Sequence, residues 1–93
     1  MEMDMQNLMM TGRIEEIHPR FPNEVYFSLR CGQDIFPCVA VDKTAEALAK
    51  HCQPGDEISL EGKLAFWKFA DGPALFIEAR YISFGRKGHS IRD

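Results

Sequence analysis

Trp67 and Phe69 lie two residues apart in the stretch Lys63-Leu64-Ala65-Phe66-Trp67-Lys68-Phe69. Successive side chains of an extended strand point to opposite faces. If Leu64 and Phe66 face a core, then Ala65, Trp67 and Phe69 face solvent. Lys63 shares their parity and Lys68 sits between them. Exposed rings beside lysines suit one chemistry well: the rings stack on nucleobases, at about 1–3 kcal/mol per base, and the ammonium groups meet phosphates. The same two rings could instead fill a subunit interface. Tyr26, Ser28 and Arg30 form a second outward stripe, either a contact surface or an ordinary solvated face. Lys43 precedes a helix and reads as a phosphate contact or as a plain surface lysine.

Other reactive residue types lack partners. His18, His51 and His89 have no cysteine or carboxylate at metal-ligand spacing, so no metal site is expected. Cys31, Cys38 and Cys52 form no C-x-x-C pair, and an odd count suits a reducing compartment. Cys38 reads as core. Glu15-Glu16 and Asp56-Glu57 sit beside turns and read as solvated charges. There is no nucleophile–base constellation and no phosphate-cradling glycine loop. The expectation is a binding protein with no cofactor, not an enzyme.

The elements that must position these residues follow from alternation and turn chemistry. Leu8 to Ile17 reads as a strand, with Gly12 at a bulge or bend. HPRFPNE reads as a loop. Glu24 to Cys31 alternates cleanly, with Val25, Phe27 and Leu29 inward. A turn over 32–34 leads to a strand from Ile35 to Val41, in which Pro37 demands an edge or bulge. Asp42 or Thr44 can cap a helix over TAEALAKHC. Pro54-Gly55-Asp56 is a turn. Glu57 to Phe69 is a long strand with Ile58, Leu60, Leu64 and Phe66 inward and a sharp bend at Gly62. Residues 70–73 turn into a last strand, Leu75 to Phe84, with Ile77, Ala79 and Ile82 inward. This order predicts an all-β domain with one short helix, a five-stranded Greek-key barrel of the OB type.

The 93 residues allow one domain. A net charge of −3 argues against strong, purely electrostatic binding of nucleic acid. No apolar run approaches the ~20 residues of a membrane span. MEMDMQNLMM lacks the basic start and apolar stretch of a signal peptide, so the cytoplasm is expected. Residues 1–6 read as a disordered lead, 7–85 as the domain and 86–93 as a flexible basic tail carrying Arg86, Lys87, His89 and Arg92.

Several stretches resemble the bacterial single-stranded DNA-binding protein family and its relative, the primosomal replication protein. MTGRI is similar to the family's opening strand and VYFSL to its second. Val41 to Glu46 lies where the family has an apolar residue, Gly, Lys, an apolar residue, Ala and Glu. Pro54-Gly55-Asp56 followed by Leu60-Glu61-Gly62-Lys63-Leu64 is similar to its Gly-Asp turn and Glu-Gly-Arg-Leu strand. The resemblance implies an OB fold that binds single-stranded DNA, or RNA, as a dimer or tetramer in replication, repair or restart. It places Phe69 at a DNA-stacking tryptophan, and Lys63 and Lys43 at basic family positions. The short 32–34 turn, the aliphatic Ile35 and Val41 at usually aromatic positions, and the ending SIRD imply a specialised relative. The alternative is an OB module that docks on replication or restart proteins with little DNA affinity.

Overall fold

The computed structural model describes residues 8–20 and 22–85. The expected lead (1–6) and basic tail (86–93) lie outside the described residues. Runs in which large apolar residues recur at every second position become five strands: β1 Leu8–Arg20, β2 Glu24–Cys31, β3 Asp34–Val41, β4 Glu57–Phe69 and β5 Gly72–Phe84. One helix, α1 Asp42–His51, separates β3 from β4. The strands close in the order β1-β2-β3-β5-β4, a five-stranded barrel of the OB type. All neighbours are antiparallel except β3 and β5, which pair in parallel at only two positions, Cys38 with Ile77 and Val39 with Glu78. Among the described residues, no helix is long and apolar enough to cross a membrane.

Alternation decides the interior. Val25, Phe27 and Leu29 of β2 meet Ile14, Cys38, Ala40, Ile58, Leu60, Ile77 and Ala79, and α1 adds Ala45 and Leu48. Two glycines mark where backbones press together. A Cβ at Gly12 would collide with the Arg30 carbonyl and the Cys31 sulfur, and one at Gly62 with the Glu78 carbonyl. Gly12 is therefore a close approach, and the β1 irregularity falls instead between Ile14 and Glu16. At Gly62 the β4–β5 register does shift.

The structure corrects several expectations. β1 continues through His18-Pro19-Arg20, and the loop shrinks to a turn at Pro22-Asn23. Past Arg13, β1 pairs with β2 alone, and such an edge tolerates Pro19. Pro37 likewise lies where β3 pairs only with β2. Asp56 is not a solvated charge: it is 2% exposed. Its carboxylate accepts the Gln53 backbone N–H at 3.0 Å. Its carbonyl accepts the Ile14 N–H at 2.9 Å, tying the turn to β1.

Neither Asp42 nor Thr44 caps α1. The N-cap residue is Val41, with no side-chain cap. Thr44 instead donates to the Arg80 carbonyl at 3.2 Å. Asp42 has φ 54°, the left-handed region that favours glycine. Asn23 holds the conformation from both sides: its carbonyl accepts the Asp42 N–H at 2.9 Å and its amide donates to the Asp42 carboxylate. Asp42→Ala is expected to cost about 1–2 kcal/mol, because alanine resists this φ and loses the Asn23 bond. Asp42→Gly should retain more stability. Urea midpoints check this, and an alanine variant as stable as the glycine one would refute it.

Candidate nucleic-acid interface

The outer wall of the barrel carries a cluster of four aromatic rings. Tyr26 projects from β2 between buried Val25 and Phe27. Trp67 and Phe69 come from β4, and Phe76 from β5, where it pairs opposite Ala65. The Tyr26 ring centroid lies 6.0 Å from Trp67, 6.0 Å from Phe69 and 5.5 Å from Phe76. Phe69 and Phe76 are 5.6 Å apart. The interplanar angles, from 47° to 81°, are those of edge and tilted packing. None of the four belongs to the barrel core. Val39, the strand partner of both Tyr26 and Glu78, is fully buried although it lies outside the interior cluster.

Strand neighbours explain why the wall projects. Among the described residues, β1 pairs with β4 as far as Gly62, and β3 flanks β5 at Ile77 and Glu78. From Lys63 to Phe76, among the described residues, the chain is thus a two-stranded arm that outruns the rest of the barrel. Trp67 and Phe69 stand on its outward face, as alternation predicts; Phe69 is 37% exposed and Trp67 half-buried. Phe66 has inward parity and was expected in the core, but it is 72% exposed. Parity points Phe66 toward an interior that ends before the arm does.

The expected cations divide. Lys63 is half-buried on the outward face, opposite Glu78. Lys68 is exposed opposite Pro73 and has the parity of Phe66, so it stands on the arm's reverse face. Arg30 is ion-paired with Glu15 and lies four residues along β2 from Tyr26, about 13 Å. Lys43, exposed on α1, lines a hollow with Arg20, Asn23, Glu24 and Asp42, beside the cluster's flank.

Two contributors escaped sequence reading. Phe76 was detectable, because alternation against inward Ile77 turns it outward. Arg20 was hidden in a stretch read as loop. Its guanidinium lies 5.3 Å from the centroid of Tyr26, within cation–π range.

The Tyr26 hydroxyl donates to Glu24 Oε1 at 3.1 Å. Burial, and then this bond to a carboxylate, hold its phenol above the ordinary tyrosine value, with Arg20 opposing. The protonated phenol is thus favoured in the fold. Its contribution is complete below the unfolded value of about 10 and is lost as pH rises through the higher folded value. Tyr26→Phe should remove this alkaline loss. The difference between wild-type and variant melting temperatures across alkaline pH measures it, and parallel curves would refute it.

Burial pushes the Cys38 thiol up to about 12 and raises that of Cys31. Among the described residues, no group of three or more His, Cys, Asp or Glu could hold a metal. Rings, two nearby cations and interspersed carboxylates can stack on planar groups and meet anions.

No protein-family model and no curated protein matches the chain. Solved structures do. A mitochondrial single-stranded DNA-binding protein from S. cerevisiae matches with a TM-score of 0.73 at 16% identity, over 94% of this chain and 100% of that one. Another crystal form of it gives 0.67 at 18% identity, over 91% and 100%. The SSB domain of a Synechococcus protein gives 0.65 at 13% identity, over 88% and 98%. At these identities the likeness establishes the fold: this chain has an OB fold, shared with those structures.

Proposed function

We propose that this chain binds single-stranded DNA along its outer wall and acts as a non-enzymatic accessory in replication, repair or restart. The observation that carries the reading is the aromatic cluster itself. Four rings gather outside the core: Trp67, Phe69 and Phe76 on the arm, packed against Tyr26 of β2. Bases stack on Phe69 and Trp67, with Tyr26 and Phe76 behind them. Arg20, Lys63 and Lys43 lie nearest the phosphates. The wall mixes charges, with Lys63 opposite Glu78 and with Arg20 and Lys43 near Glu24 and Asp42, so the rings rather than net charge carry the reading. The structures that share the fold are named as single-stranded DNA-binding proteins, which agrees with the reading.

We further propose a cytoplasmic homo-oligomer. Met9 and Tyr81, 79% and 69% exposed, flank Glu61 in one cross-strand row of β1, β4 and β5. Glu61 lies six residues along β4 from Trp67, about 20 Å, so a second copy can cover this row short of the rings.

The test is a titration with oligothymidine at low salt, followed by tryptophan fluorescence. Quenching that saturates and weakens as salt rises is expected. No quenching together with no gel shift defeats the proposal.

A further inference from the structure

The reverse face of the arm has an aromatic residue of its own. Phe66 is 72% exposed and pairs with Leu75, 44% exposed. Leu64 and Ile77 form the next row toward the barrel, and Lys68 and Pro73 the next row toward the tip. Lys68 is exposed and forms no ion pair among the described residues. Among the described residues, an apolar strip therefore runs out of the core onto the arm's exposed reverse face and ends beside a cation.

Three occupants are conceivable, and the geometry separates them. An aromatic side chain buries about 150–250 Å², so Phe66 and Leu75 together offer on the order of 200 Å². A stable protein interface needs about 800 Å² per partner, so the patch is too small to hold a second copy by itself. An extended peptide would pair main chain with an edge of the arm, where Pro73 removes a backbone donor on the β5 side, and edge pairing leaves the Phe66 ring, which stands off the sheet face, uncovered. A nucleobase needs only a ring's area and a cation near its phosphate, and both are present.

We infer that Phe66 is a second base-stacking platform, with Lys68 on its phosphate, and that a bound single strand passes around the arm from the Trp67–Phe69 face to this reverse face. The inference rests on the reading of the front face as a DNA site and extends it. The arm is a two-stranded ribbon, so a strand leaving the front rings reaches the back within a few nucleotides. The arm then acts as a spindle, gripped from both sides.

The experiment uses the full chain and two oligothymidines. One, about four nucleotides long, covers only the front rings; the other is about sixteen. Phe66→Ala should weaken the long oligomer roughly five- to a hundred-fold, the equivalent of about 1–3 kcal/mol for one stacked base, and leave the short one unchanged. Phe66 is outside the core, so the variant should keep the wild-type melting temperature. Phe66→Trp combined with Trp67→Phe moves the fluorophore to the reverse face, where the long oligomer should quench it.

Unchanged binding of both oligomers by Phe66→Ala, with the front-face variants weakened, overturns the inference and spares the front site. The same holds for a relocated tryptophan that stays bright in a variant that binds, or for lost self-association with unchanged affinity. If the wild-type chain binds neither oligomer, both readings fall together.

Discussion

Trp67→Ala/Phe69→Ala is expected to weaken binding of oligothymidine about thirty-fold or more. Each ring that stacks on a base contributes about 1–3 kcal/mol, and 1.4 kcal/mol is tenfold in affinity. Two rings together are thus worth about 2–6 kcal/mol if each holds a base. The single variants should not simply add. Both rings pack on Tyr26, 6.0 Å away in each case, so removing one loosens the support of the other. The fold should survive, because neither ring belongs to the core cluster. Fluorescence anisotropy of labelled oligothymidine, with circular dichroism as the check on folding, measures the effect. A folded double variant with wild-type affinity would mean that the wall is not the DNA site.

Gly62→Ala should be among the most destabilising substitutions of one methyl group in this chain. The new Cβ would meet the Glu78 carbonyl, and a backbone atom cannot swing aside as a side chain can. Either β5 shifts or the β4–β5 register is remade. Overpacking of this kind costs about 1–3 kcal/mol, and the top of that range is expected where the obstacle is main chain. The consequence reaches the binding wall. Gly62 lies at the root of the arm, next to the register shift and to Lys63, so a displaced β5 moves Phe76 relative to Trp67. Stability and affinity should fall together. Chemical denaturation gives the first and the oligothymidine titration the second. A loss below about 0.5 kcal/mol, the scale of an ordinary surface change, would refute the close approach.

Binding to the wall need not be strong in salt-dependent terms. Glu24 and Glu78 stand among the cations, and Arg30 is committed to Glu15. Few phosphates can then be neutralised, and a shallow salt dependence follows. Stacking must supply the larger share of affinity, which is why the ring variants carry the larger predicted effect.

Local residue order was enough for the element sequence, the inward set Val25, Phe27, Leu29, Ile58 and Leu60, and the outward parity of Tyr26, Trp67 and Phe69. These follow from strand alternation and turn chemistry, which act between near neighbours. Phe76 was within reach of the same rule. Tertiary structure decided what depends on how many neighbours a strand has at each point along its length. Phe66 is exposed because, among the described residues, neither β1 nor β3 pairs beside this part of the arm. Pro19 and Arg20 join a strand because β2 continues beside them. Asp56 is buried because its turn folds back onto Ile14. Asp42 adopts its left-handed backbone because Asn23, from a distant turn, holds it there. Parity is written into the chain one residue at a time, but burial requires a partner from elsewhere in the sequence, and only the closed barrel determines where that partner ends.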